Sequence, residues 1–172
     1  MTDNKFNTVE FTRELQKKYA SSFCCGNPAI DNFLKSSEAF DCLFGKTYAM
    51  MTENEIIGYY NISTGDIEDD DQLRMGGSIY INYFALDQKY HRVKYNENWY
   101  VSDLLIMDCI NRVLDIQENT VGFTFITLSS TSEGYNLYKR NGFEELEDDM
   151  KIAKNQGEFT CIPMYLPLAT ED

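Results

Sequence analysis

The chain has 172 residues, 43% of them hydrophobic, which allows one sizeable core and fits a single domain spanning residues 1–172. With 28 acidic against 15 basic residues the formal charge is −13, a field that repels phosphate backbones, argues against a nucleic-acid partner and attracts cationic small molecules or basic peptides. The apolar stretch Val101 to Ile110 is broken by Asp103 and Asp108 and is too short to cross a bilayer, and Met1 to Glu10 lacks the basic flank and apolar run of a secretory signal, so the expectation is a cytoplasmic protein with no membrane partner.

In chain order, the first signals are cysteines. Cys24, Cys25, Cys42, Cys109 and Cys161 are odd in number and have no C-x-x-C pair, so they predict reduced thiols and neither a zinc site nor a disulfide framework. The adjacent Cys24 and Cys25 read as small half-buried residues of a reducing compartment. After Asn27, Pro28 suits the first turn of a helix over Ala29 to Leu43, where Ile30, Phe33, Leu34, Ala39, Phe40 and Leu43 recur at near-helical spacing. Lys46 to Met51 and Glu55 to Ser63, separated by the turn-like Glu53-Asn54, predict two hairpin-connected strands. Asn61-Ile62-Ser63 fits a glycosylation sequon, but it lies in a predicted strand of a protein not expected to be exported.

Asp66 to Asp71 reads as a loop or short polar helix. It resembles a calcium loop only in acidity, since Asp71 stands where that loop needs Gly and Gly77 where it needs Glu, so no metal is expected. Ser78 to Leu86 is a nearly unbroken run of apolar, β-branched and aromatic residues, the pattern of a central strand, and the polar stretch Asp87 to Asn98 reads as a long loop. From Tyr100 to Gln117, Asp108, Asn111, Arg112 and Asp115 fall on one helical face, which predicts a largely buried helix. Val121 to Leu128 is a further strand, and the alternation of helix with strand indicates an α/β sheet. Ser130 and Glu133 have capping-box spacing for a helix that Asn141-Gly142 ends after Arg140. Phe143 onward and Phe159 to Leu166 complete the strands, with Glu144 to Asp149 as a charged surface.

Three stretches, taken in order, carry a resemblance to the GNAT superfamily of coenzyme A-dependent N-acyltransferases. Phe23 to Leu34 (FCCGNPAIDNFL) resembles the opening of a subgroup that includes toxin acetyltransferases acting on aminoacyl-tRNA. Tyr83 to Arg92 (YFALDQKYHR) followed by Ser102 to Leu114 (SDLLIMDCINRVL) resembles the strand, pyrophosphate loop and helix that hold coenzyme A. Glu133 to Leu146 (EGYNLYKRNGFEEL) resembles the late helix and strand with their Phe-Tyr-x-x-x-Gly-Phe core, Leu137 replacing the Phe. The resemblance implies a GNAT fold, α/β (α+β), with a mixed central sheet of about six to seven strands flanked by helices and splayed at the cofactor cleft.

It also implies an N-acetyltransferase using acetyl-CoA. The chemistry needs an amine to attack a thioester and a donor to protonate the departing thiolate. By match, the pantetheine arm pairs with backbone at Phe84, Ala85 and Leu86, and Tyr138 is the proton donor to the thiolate. Gly134 is the small residue at the helix start, and Ser129 and Ser130 lie where polar contacts are common. Without the motif, Tyr138 is one of twelve tyrosines packing a helix face. His91, the only histidine, is assigned no role and reads as a surface residue.

The chain departs from the family in its pyrophosphate loop. Glycines there let consecutive N–H groups close around phosphate at a helix start, whereas HRVKYNENWYV, from His91 to Val101, contains none and is longer. Two readings stay open. In one, Arg92 and Lys94 neutralise phosphate beside the helix start Val101, Ser102 and Asp103, with Trp99 or Tyr100 flanking the nucleotide. In the other, the fold persists as a non-catalytic binding or regulatory module that has lost coenzyme A. The acidic balance favours a small-molecule or peptide amine acceptor over tRNA. Whether the chain forms a homodimer is not legible.

Overall fold

The computed structural model describes residues 6–153 and 160–169. They form two compact units, one comprising residues up to Ile62 with Asn82–Asp108, the other Ser63–Ile81 with residues from Cys109 on.

The first unit begins with elements that the sequence reading leaves blank: strand β1 (Asn7–Glu10) and helix α1 (Arg13–Tyr19). Thr12 caps α1 by accepting the Leu15 N–H, yet the helix buries no residue, so no apolar stripe announces it. Helix α2 (Pro28–Lys35) starts as expected, with the Asn27 side chain accepting the Ala29 N–H at 3.0 Å and Pro28 in the first turn. Asn27→Ala removes that acceptor and should cost about 1 kcal/mol, read as a fall in Tm of about 2–4 °C in a thermal melt.

The helix predicted to reach Leu43 is corrected: α2 stops at Lys35, and two short 3-10 turns, Ser37–Phe40 and Cys42–Phe44, follow. Ser36 is extended and its hydroxyl accepts the Glu38 N–H, while the Asp41 carboxylate accepts the Leu43 N–H at 2.9 Å. Short polar side chains thus take the amides that a continuing helix would use. The Gln16 amide donates to the carbonyls of Leu34 and Ser36 at 2.9 and 2.8 Å and seals the α2 end. Leu43, counted on the buried face, is 86% exposed.

Strand β2 (Lys46–Met51) pairs antiparallel with β1 on one side and with β3 (Ile56–Glu68) on the other, Lys46 opposite Ile62. Phe11, Phe23, Phe33, Leu34, Ala49, Tyr59 and Ala85 form the core of this unit. Phe23 meets Tyr59 edge-on at 5.6 Å, Phe33 stacks on Tyr83 at 3.9 Å, and the Tyr59 hydroxyl donates to the Ile30 carbonyl. The sequon asparagine, Asn61, is 0% exposed, with its amide shared between Thr47 and Asn82, so it is closed to modification in the folded chain.

In the second unit β3 continues to Glu68 and β4 (Arg74–Leu86) begins. The expected loop or polar helix at Asp66 to Asp71 is therefore corrected to a strand end and a tight turn, whose Asp69 carboxylate accepts the Asp71 and Leu73 N–H groups at 2.9 and 2.8 Å. β4 pairs parallel with β5 (Phe125–Ser130), Ser78–Ile81 against Phe125–Leu128, while β4 runs on to Leu86 and β5 to Ser130. β5 pairs antiparallel with β8 (Ile162–Pro167), β8 with β6 (Glu144–Glu145), and β7 (Lys151–Ile152) with the end of β3. Among the described residues the strands follow the order β1-β2-β3-β4-β5-β8-β6 with β7 on β3, a mixed sheet as expected but eight-stranded.

Helix α3 (Val101–Asn119) buries Val101, Leu105, Ile106, Cys109, Ile110 and Val113, as predicted. The strand expected from Val121 starts at Phe125, because Val121 to Phe123 is the link out of α3, held by the Gln117 amide on the Phe123 carbonyl. The predicted capping box does not form. Ser130 is the last residue of β5 and donates to the Thr131 carbonyl, and Thr131 instead accepts the Gly134 N–H before α4 (Tyr135–Arg140). The stop is as expected: Gly142 has φ +94, and Phe143 N–H bonds the Tyr138 carbonyl. Phe159, the predicted start of the last strand, lies outside the described residues. Among them, no helix is long and apolar enough to cross a membrane, and no group of residues could hold a metal ion.

Candidate active site

The candidate residues fall in two clusters, one in each unit. In the first, the end of β4 carries Phe84, half-buried, and Ala85 and Leu86, both buried. The next residue, Asp87, is 3% exposed and ties this strand end down. Its carboxylate accepts the Cys24 N–H at 3.1 Å and the Lys89 N–H at 3.0 Å, while its own N–H donates to Ile57 and the Gln88 N–H donates to Cys24. Opposite, the Asp31 carboxylate accepts the Cys25 N–H at 2.8 Å. Gly26 turns with φ +92, its bare α-carbon facing the Gln88 side chain, where a Cβ would clash. The FCCGNPAID motif is thus a clamp in which two buried carboxylates satisfy consecutive amides of a tight turn.

Burial pushes the Cys25 thiol up to about 12, outweighing the Asn27 carbonyl, so it stays a thiol and is no nucleophile. The loop after β4 is anchored by Glu55, which pairs with Lys89 and accepts the Tyr90 hydroxyl at 2.6 Å. Lys89 first, then Tyr90, holds that carboxyl below the usual carboxylate range. His91, exposed as expected, places Nε2 2.8 Å from the Leu86 carbonyl, which it caps in the tautomer protonated at that nitrogen.

From there the glycine-free loop folds on itself. Arg92 takes a left-handed conformation with φ 59, Lys94 bridges to Tyr100, and Tyr95 N–H donates to Trp99. Val93 accepts the N–H of Val101, the first residue of α3, at 3.0 Å. Asp103, 4% exposed, turns its carboxylate back onto the Tyr100 N–H at 2.9 Å. Arg92 and Lys94 are exposed, and Ser102 is half-buried at the start of α3.

In the second unit Ser130, Gly134 and Tyr138 come together. A Cβ on Gly134 would lie 3.1 Å from the Tyr138 ring and 3.3 Å from the Ser130 hydroxyl, so the bare glycine makes room for that ring. Tyr138 is 8% exposed and meets Phe143 edge-on at 5.7 Å. Burial, then Cys109 and Tyr80, raises its hydroxyl well above the usual tyrosine range, so the phenol stays protonated. Ser129 accepts the Tyr80 hydroxyl at 3.2 Å.

Sequence reasoning missed Asp87, Asp31 and Tyr80. Asp31 stands inside the FCCGNPAIDNFL stretch, and Asp87 is an acid immediately after an apolar strand, the position of an amide-capping side chain.

No family model matches the sequence, and no curated protein matches it. Solved structures do. A bacterial toxin superposes with a TM-score of 0.73 at 19% identity, covering 94% of this chain and 90% of that one. A mutant AtaT toxin bound to the C-terminus of the antitoxin AtaR and acetyl-CoA gives 0.70 at 17%, covering 95% and 93%. AtaT complexed with an acetyl-methionyl-tRNA gives 0.70 at 16%, covering 95% of each. The last is a nucleic-acid complex of a protein with this fold, so exclusion of nucleic acid on net charge finds no support here. In its fold, this chain is similar to these toxins over nearly its whole length.

Proposed function

We propose that this chain is an N-acetyltransferase with acetyl-CoA as acyl donor and an amine as acceptor. The observation that carries the reading is Tyr138: a buried phenol, held protonated and given space by Gly134, at the motif position of the family's acid. In the reaction, the amine lone pair attacks the thioester carbonyl, a C–N bond forms and the C–S bond breaks. The departing thiolate takes the Tyr138 proton, and the phenolate recovers one from the ammonium just acylated. Phe84, Ala85 and Leu86 offer backbone to the pantetheine arm, and Ser129, Ser130 and Gly134 serve the approach to α4. The exposed side chains of Arg92 and Lys94 receive the phosphate-bearing end, beside the start of α3 at Val101, Ser102 and Asp103. Similarity to a toxin that carries acetyl-CoA supports the choice of donor.

The second reading, a binding module without coenzyme A, is favoured by one observation: the Tyr100 and Val101 amides are already engaged within the chain. Calorimetry with acetyl-CoA separates the two. Saturable binding below millimolar concentration, with acetyl transfer to spermidine, a lysine-rich peptide or aminoacylated tRNA, is expected. No binding at millimolar ligand ends the enzyme reading, and the three acceptors tell a small amine, a peptide and tRNA apart.

A further inference from the structure

Helices α1 and α2 are tied together at their ends. The Gln16 amide of α1 donates to the Leu34 and Ser36 carbonyls at the end of α2, and the Ser22 hydroxyl donates to the Tyr19 carbonyl at the end of α1 at 2.9 Å. Beside this tie lies a cavity of about 310 Å³ lined by Gln16, Lys17, Ala20, Ser21 and Lys35, a volume at the lower end of the range for small-molecule sites. Its charge is opposite to that of the chain: the formal total is −13, yet the two ionisable side chains lining the cavity are both lysines. Among the described residues neither lysine is in an ion pair. The other cations of α1 are turned onto aromatic rings, Lys18 over Tyr19 at 5.0 Å and Arg13 over Phe40 at 4.8 Å.

Lysines in the last turn of a helix offset the negative end of its dipole, and Lys17 and Lys35 hold such positions. That role does not exhaust them. Each helix end carries about half a negative charge, so two ends leave two ammoniums about one positive charge in excess. The end carbonyls of Leu34, Ser36 and Tyr19 already have donors in Gln16 and Ser22. We propose that this cavity binds a compact dianion, a phosphate monoester or a diphosphate. Each ammonium brings three donors and acts on phosphate as a point charge, and the exposed Ser21 hydroxyl supplies one donor more. A pair of cations matches the double charge of a terminal phosphate, whereas a carboxylate or a phosphodiester unit carries a single charge. The proposal does not depend on the acetyltransferase reading.

The probe is inorganic pyrophosphate, and the readout is its calorimetric Kd at low salt for the full chain and three variants. Lys17→Gln and Lys35→Gln each remove one cavity charge. Lys18→Gln makes the same change on the same helix outside the cavity. All three side chains are exposed, and glutamine is close to lysine in helix propensity, so the variants should fold. Saturable binding below millimolar concentration is expected, weakened about tenfold or more in Lys17→Gln and in Lys35→Gln and within about twofold of wild type in Lys18→Gln. Added salt should weaken it, and saturating acetyl-CoA should leave it unchanged. No binding by the wild type at millimolar pyrophosphate overturns the proposal. So does an equal loss in Lys18→Gln, which would reduce the effect to the general field of α1. Binding that ignores Lys17 and Lys35, or that acetyl-CoA displaces, places the dianion elsewhere and also overturns it. A uridine oligonucleotide without terminal phosphates is the last probe: tighter binding than pyrophosphate, lost in the same two variants, would make the cavity a nucleic-acid contact instead.

Discussion

Tyr138→Phe should lower kcat for acetyl transfer about a hundredfold or more while leaving KM for acetyl-CoA within a factor of about three. The ring is what packs: it meets Phe143 edge-on and fills the space left by Gly134, and Phe preserves both contacts. Only the hydroxyl is lost, so the departing thiolate must leave unprotonated or take its proton from water. Stability should change by no more than about 1.5 kcal/mol, the range for one hydrogen-bonding group, which a melting curve checks independently. The pH profile adds a second reading. Burial raises the phenol above the ordinary tyrosine range, and an acid catalyst is active below its own pKa, so the upward shift moves any loss of the donor to higher pH. Rate should climb with pH as the acceptor ammonium deprotonates, with no fall attributable to Tyr138 up to about pH 10. A Phe variant that turns over like the wild type would reduce Tyr138 to a packing residue.

Parts of the fold that bury one face completely were legible from residues alone. β2, the first half of β3, β4 and α3 carry long apolar runs or stripes, and all four lie where expected. What failed was local polar chemistry that competes with periodicity. Ser36 and Asp41 broke a helix that the spacing of Ile30 to Leu43 had promised, and Thr131 took the role given to Ser130. α1 was invisible because it buries no residue fully and packs only Leu15 and Tyr19 against the core. At the candidate site, the motif marked Tyr138 and Gly134 separately, and their proximity, with the glycine leaving room for the ring, came only with the structure. The missing glycines before α3 were plain. Their consequence was not, because the closure depends on Val93 reaching Val101 across a loop with no regular pattern.

The clamp at the end of β4 offers the sharpest stability test. Asp87→Ala should destabilise the fold by about 3 kcal/mol, lowering Tm by about 6–12 °C. The carboxylate is 3% exposed and accepts two backbone N–H groups, from Cys24 and Lys89, and an alanine supplies no replacement for either. Asp87→Asn separates acceptor count from charge: with one carbonyl oxygen it can serve one amide, so it should fall between wild type and alanine. The same change reaches the proposed chemistry by position. Asp87 follows Leu86 directly, and its own N–H bonds Ile57, so loosening it frees the strand end on which the pantetheine arm is proposed to pair. Asp87→Ala should therefore raise KM for acetyl-CoA well below its melting temperature, with kcat at saturating donor changed far less than in Tyr138→Phe, because the acid is untouched. An Asp87→Ala protein that melts with the wild type would mean that water replaces the carboxylate at both amides, and the clamp would lose its energetic basis.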